Sequence, residues 1–204
     1  MKNSTTNNSN SEPATLPFGG SRRGPSGCGG NIVIGVSGGI ACYKAVEVVN
    51  QLKKDGYNVE VIMTKSAQEF VTPLTFKTMS HNPVITDMFD PVREWDTKHI
   101  DLAKAADLFV IVPATANIIG KIANGIADDI LTTTVMAARS PVLIFPAMNT
   151  YMYENPIVQD NIKKLKSFGY HVYETAEGEL ACGDIGKGKL LPWEEIVKII
   201  KEFE

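Results

Sequence analysis

From residue 31 onward, short β-rich apolar runs and helix-patterned segments take turns along the chain, and this alternation constrains the fold more than any other feature. NIVIGVS, residues 31–37, ends at a glycine and has the look of a strand covered on both faces. In IACYKAVEVVNQLKKDG, Ala41, Ala45, Val48, Val49 and Leu52 recur at helical spacing, and Gly56 offers a stop. YNVEVIMT reads as a second strand, HIDLAKAAD as a short helix, DLFVIVPA as a third strand and TANIIGKIANG as another helix start. PVLIFPAM gives a fourth strand, NPIVQDNIKKLKSFG a helix stopped at Gly169, YHVYE a fifth strand and PWEEIVKIIKEF a closing amphipathic helix. Strands separated by helices pair in parallel through right-handed crossovers. The expected product is an open, doubly wound, three-layer α/β sheet.

A chain of 204 residues that is 44% hydrophobic suits one well-buried domain, expected over residues 31–204. Residues 1–30 differ, being rich in Asn, Ser, Thr, Gly and Pro with almost no apolar content. Such a stretch cannot bury enough surface to offset its ordering entropy, so it reads as a disordered natural tail or an appended sequence. The net charge of −3 has no basic stripe behind it, which argues against nucleic acid or an anionic membrane as partner. The three cysteines, Cys28, Cys42 and Cys182, show no CxxC spacing. That speaks against a disulfide framework and a zinc site, and fits a reducing cytosol. No stretch is long and apolar enough to span a bilayer, and no apolar leader follows the first methionine. The expected place is the cytoplasm.

In doubly wound sheets ligands bind beyond the carboxyl ends of the strands, near the point where strand order reverses. That rule puts SGGIA, TKSA, PATAN and PAMN on one rim. Gly38 and Gly39 let the backbone approach a ligand, with a helix N-terminus behind them, although the same pattern also makes plain strand-to-helix turns. Neither a GK[ST] ending nor full GxGxxG spacing is present. The second strand ends VIMTKS without the acid that a NAD site uses for ribose, so flavin mononucleotide fits better. Asn149 follows the fourth strand, where it serves equally well as a helix cap or as a ligand group. His99 reads as a capping residue or a base, Met148 and Met152 as core filler, and Cys42 as packing.

Together, GVSGGIA, HIDLAKAADLFVIVPATANIIGKIANGIADDILTTT, PAMNTYMY and ELACGDIGKGKL resemble the flavin-dependent cysteine decarboxylases, over roughly residues 31–203. The most similar branch is that of coenzyme A biosynthesis, which acts on phosphopantothenoylcysteine. The resemblance implies a Rossmann-like (flavodoxin-type) subunit, assembled as a homotrimer or a multiple of it, with FMN near a subunit interface. It implies flavin contacts at Gly38, Gly39, Ile40, Thr64, Lys65, Ser66, Thr115, Ala116, Asn117, Ile118 and Ala147. His99 matches the active-site histidine, as base or orienting group. Asn149, Met152, Ala181 and Cys182 match the substrate-binding positions, with Asn149 holding the carboxylate and Cys182 donating a proton.

The implied chemistry explains these residue types. An aminothiol carboxylate has no electron sink, so flavin first oxidises the thiol to a thioaldehyde, and CO₂ then leaves an enethiolate. Reduced flavin returns hydride, and the last proton comes from a thiol, a usable acid near neutrality with an unperturbed pKa of about 8.5. Gly183, Gly186 and Gly188 would give the loop around Cys182 the permissive backbone of a lid.

Two departures stand out: Tyr153 occupies a position where the family often has tryptophan, and the ligase to which this domain is often fused is expected to be a separate protein or to lie outside this sequence. Three alternatives share the architecture: a lantibiotic peptide decarboxylase, a phosphatase-regulating subunit and a flavin prenyltransferase. Cys182 in its ACG loop disfavours the first. The short, neutral-to-basic tail and the intact His99, Asn149 and Cys182 set disfavour the second, and PAMN with ACG disfavours the third.

Overall fold

Every residue of β1 (Asn31–Val36) after the first is buried, which is why its sequence shows an unbroken apolar run in place of alternation. The computed structural model describes residues 29–88 and 98–203. Of the N-terminal stretch, only Gly29 and Gly30 fall among them, and Cys28 lies outside the described residues. Ile32, Ile34 and Val36 face one core layer and Val33 the other, the two-residue period of a strand packed on both sides. Each such side chain contributes roughly 1.5–3 kcal/mol by leaving water.

The sheet contains β1 with β2 (Asn58–Met63), β3 (Val84–Ile85), β4 (Leu108–Ala114), β5 (Val142–Pro146) and β6 (His171–Val172). Its order is β3-β2-β1-β4-β5-β6, and every neighbouring pair runs parallel. This is the expected doubly wound α/β sheet, with the order reversing between β1 and β4. On one face pack α1 (Cys42–Lys54) and α8 (Trp193–Phe203), through Val48, Val49, Leu52, Ile196 and Ile200. On the other lie α4 (Ala116–Ala123), α5 (Ile130–Ala137) and α7 (Pro156–Ser167), through Ile118, Ile122, Leu131, Ile162 and Leu165. Gly35 lets α5 pack close on β1: a Cβ there would meet the Leu131 Cδ1 methyl, which would have to shift. The remaining helices are a 3-10 turn (Lys65–Glu69), α2 (Pro73–Ser80), α3 (Lys98–Ala105) and α6 (Thr150–Glu154).

Two features differ from the sequence reading. YHVYE was expected as a full strand, yet only His171 and Val172 pair, at the sheet edge. The glycine stretch after it, expected as a loop, forms an antiparallel hairpin of β7 (Ala176–Glu179) and β8 (Ile185–Lys189). Its sequence carries no apolar alternation because the hairpin holds itself by backbone pairing and by docking onto the residues that follow β5. Met148 N–H donates to the Gly188 carbonyl at 2.9 Å, and the Thr150 hydroxyl donates to the Lys187 carbonyl at 2.8 Å. Gly188 has φ +113°, and a Cβ there would collide with the Met148 carbonyl oxygen, so glycine is required on both counts. Among the described residues, no helix is long and apolar enough to cross a membrane.

Candidate active site

The reversal between β1 and β4 opens a crevice at their carboxyl ends, and Ser37 ties its two walls together. The buried Ser37 hydroxyl donates to the Pro113 carbonyl at 2.8 Å and accepts the Thr115 N–H at 3.0 Å. The rim turns are built on hydroxyl caps: Thr64 accepts the Ala67 N–H at 3.2 Å, and Thr115 accepts the Ile118 N–H at 3.4 Å. Those oxygens are engaged by the chain itself. What remains for a ligand is the backbone of the Gly38–Ala41 turn and the exposed side chains of Lys65, Ser66 and Asn117.

The two glycines of the first turn have different tasks. A Cβ on Gly38 would strike Ser66, coming within 2.8 Å of its carbonyl carbon and 2.9 Å of its oxygen, so Gly38 lets the first two rim turns meet. A Cβ on Gly39 would meet nothing nearer than Thr115 Cγ2 at 3.8 Å, so this position faces the crevice. Behind the turn, α1 starts with no side-chain cap at Ala41 and no acid in its first turn. Its first N–H groups bond back to the turn, Cys42 to the Gly39 carbonyl at 2.9 Å and Lys44 to the Ala41 carbonyl at 3.0 Å, so the helix end favours an anion through its dipole. The Cys42 thiol is buried, donates to the Ser37 carbonyl at 2.9 Å, and is pushed up in pKa mainly by that burial. It is a packing group.

Asn149 fills both roles that its sequence position allows. Its Oδ1 accepts the Tyr151 N–H at 2.9 Å and so caps α6. That bond fixes the amide orientation and turns Nδ2 toward the hairpin tip. There Nδ2 donates to Cys182 Sγ at 3.4 Å and to Asp184 Oδ2 at 3.0 Å, and the Cys182 thiol donates to the same Asp184 oxygen at 3.3 Å. The tip itself is a tight turn: Gly183 N–H bonds the Leu180 carbonyl at 2.9 Å, with Gly183 at φ +88°. Cys182 and Asp184 are both exposed, within reach of a ligand entering over the rim.

The base of the hairpin is anchored from α6 and α7. The Tyr153 hydroxyl donates to Glu174 Oε2 at 2.9 Å, and Lys166 pairs with Glu174 Oε1 at 2.8 Å. The Lys166 bond and then the Tyr153 bond hold the Glu174 carboxyl below its ordinary range. Burial, followed by the Glu174 bond, raises the Tyr153 phenol and keeps it a donor. Lys121, bonded to Asp128 at 2.7 Å and to Asp129 at 3.1 Å, pins the loop before α5 to α4.

The structure therefore brings Gly38, Gly39, Ile40, Thr64, Lys65, Ser66, Thr115, Ala116, Asn117 and Ala147 to one rim. Ile118 stands apart, its side chain 1% exposed and turned into the core. Met152 is 48% exposed on α6, and Ala181 lies exposed at the hairpin tip beside Cys182. His99 belongs to the first turn of α3, and its side chain lies outside the described residues. The sequence reading did not single out Ser37 or Asp184. Depressions of about 370 and 440 Å³ elsewhere, at the amino ends of β1 and β2 and between α1 and α8, hold none of the rim residues.

An open parallel sheet with a glycine turn at its switch point, and a polar amide and thiol held over that rim, defines a protein of the class that binds a phosphate-bearing cofactor beside a small reacting group. The chain belongs to the Flavoprotein family, whose model matches residues 27–203. It is 52% identical over 172 residues to the coenzyme A biosynthesis bifunctional protein CoaBC of Bacillus subtilis, covering 84% of this chain and 42% of that protein. It is 45% identical over 173 residues to a Streptococcus mutans protein named "probable phosphopantothenoylcysteine decarboxylase", covering 84% of this chain and 97% of that one. Among solved structures, it resembles a PPC decarboxylase cysteine-to-serine mutant complexed with pantothenoylaminoethenethiol. That match has TM-score 0.76 and 28% identity, over 86% of this chain and 98% of the other. The chain spans less than half the length of the bifunctional relatives it matches.

Proposed function

We propose that this chain is an FMN-dependent carboxy-lyase that converts 4'-phosphopantothenoylcysteine to 4'-phosphopantetheine in coenzyme A biosynthesis, with residues 31–204 as the decarboxylase domain. The observation that carries the reading is the meeting of the Asn149 amide and the Cys182 thiol, 3.4 Å apart, on a hairpin docked over the switch-point rim. A neutral amide orients a carboxylate without the lasting charge of an arginine, and a thiol beside it supplies a proton.

The rim suits FMN by the chemistry of its donors. The α1 N-terminus and the Gly38–Ile40 turn would hold the phosphate, while Ser66, Lys65 and Asn117 present exposed polar groups around it. Thr64, Thr115, Ala116 and Ala147 would line the same crevice, with Ile118 behind them holding the Thr115 hydroxyl through its N–H. FMN, when bound, supplies the oxidation that makes the cysteinyl carbon an electron sink and the hydride that later reduces it.

The protein's part is orientation and proton handling. Asn149 Nδ2 holds the substrate carboxylate, Met152 and Ala181 flank the cysteinyl arm, and Cys182 delivers the proton at the end. His99, on the first turn of α3, is the base or the orienting group. The working form is taken to be a cytoplasmic homotrimer; Ile40, Tyr43, Phe70 and Leu74, all exposed apolar side chains next to the first two rim turns, suit such a contact.

Product analysis by mass spectrometry tests the reading. The flavin-loaded protein should turn phosphopantothenoylcysteine into phosphopantetheine and leave a Cys-terminated peptide unchanged. Conversion of the peptide alone would place the protein with the peptide decarboxylases, and conversion of neither would remove the assignment.

A further inference from the structure

Every hydrogen-bonding atom of the Asn149 amide is already in use. Oδ1 takes the Tyr151 N–H, and the two hydrogens on Nδ2 are directed at Cys182 Sγ and Asp184 Oδ2. An amide nitrogen carries two donors and no more. The shorter of its contacts is to a carboxylate, the same chemical group that the proposed function assigns to this donor in the substrate. Asp184 is no remote surface acid. The turn closed by Gly183 N–H on the Leu180 carbonyl, and by Leu180 N–H on the Asp184 carbonyl at 2.8 Å, fixes its backbone. Its Oδ2 also takes the Cys182 thiol hydrogen.

We propose that Asp184 is a positioning residue that occupies the substrate carboxylate's place at Asn149 and latches the hairpin tip shut until substrate displaces it. The inference rests on the function proposed above. An incoming carboxylate must compete for the same N–H, and two anions at one amide repel. Entry of substrate therefore frees Asp184, and with it the thiol hydrogen that Asp184 had been accepting. The cost of breaking the latch falls on one ligand only: a ligand that carries the carboxylate has to displace Asp184, whereas the decarboxylated product makes no claim on Asn149.

That asymmetry supplies the test. In flavin-loaded Asp184→Asn, the side chain still accepts from Asn149 but carries no charge. KM for phosphopantothenoylcysteine should fall by about threefold to fivefold, the scale of a single exposed charge interaction. The dissociation constant for phosphopantetheine, measured by calorimetry, should stay where it is in the wild type. In Asp184→Ala, which also loses the acceptor, backbone amides of residues 180–184 should exchange with deuterium faster in the substrate-free protein.

An unchanged or higher KM, an equal change in product affinity, or tip exchange equal to wild type in Asp184→Ala would each overturn the latch. All three leave wild-type turnover, and so the proposed function, intact. A wild type inert toward the substrate removes the function itself, and the latch with it.

Discussion

The amide nitrogen of Asn149 lies 3.4 Å from the thiol sulfur of Cys182, a contact between side chains 33 residues apart in the chain. Two local devices produce it. The α6 cap turns the amide outward, and the hairpin, docked through Gly188 and Thr150, carries the thiol back over the rim. Both devices are made of hydrogen bonds within the chain itself.

Asn149→Asp separates the two jobs of this side chain. The aspartate keeps an oxygen for the Tyr151 N–H, so α6 stays capped and the fold stands. It loses the donor and sets a second negative charge against Asp184. Decarboxylation should fall by about tenfold to a hundredfold, as expected for losing a hydrogen bond to a charged group. Flavin content and the urea midpoint should remain near wild type, which steady-state assays beside absorbance and unfolding curves would check.

The first-turn glycines predict opposite phenotypes. Gly38→Ala drives a methyl into Ser66, including its backbone, and should cost roughly 1–3 kcal/mol of stability in urea titrations of the flavin-free protein. Gly39→Ala meets only Thr115 Cγ2 at 3.8 Å and should leave that stability nearly unchanged. Because its methyl points into the crevice, it should weaken FMN retention, read by titrating the flavin-free protein with FMN.

Much of this molecule is legible in its sequence. β1, β2, β4 and β5 announce themselves as apolar runs because both faces of a central parallel strand are buried, and α1 and α8 show their stripe because only one face is. β3 escapes notice because two residues leave no period to read. The hairpin escapes because its stability comes from backbone bonds and from the close approach of Gly188 to Met148, neither of which leaves an apolar pattern. Asn149 looks like a cap or a ligand group, and the geometry gives it a cap on one side and a donor turned to Cys182 and Asp184 on the other. Asp184 gives little sequence signal, since an acid in a glycine-rich loop looks like any turn residue. The available clue was its place two residues after Cys182, at a turn that sends both side chains the same way.

Acid should loosen the hairpin base. The Glu174 carboxyl is held below its ordinary range, so its contribution is fully present above that range and is lost as pH falls through the lowered folded-state value. Wild type should therefore lose stability on acidification beyond the usual glutamate range, and Glu174→Gln should lose less over the same interval. Urea midpoints measured against pH for the two proteins check this, with a modest difference expected because the Glu174 side chain is 76% exposed.

On the proposed function, Asn149 and Cys182 serve one reaction, the amide orienting the carboxylate and the thiol delivering the final proton. The most direct measurement is the mass of the product that Cys182→Ser forms from phosphopantothenoylcysteine in a single turnover, run beside wild type. CO₂ should still be lost, but the product should accumulate as the unsaturated enethiol, while wild type yields phosphopantetheine. Phosphopantetheine from the serine variant at the wild-type rate would contradict that role of the thiol.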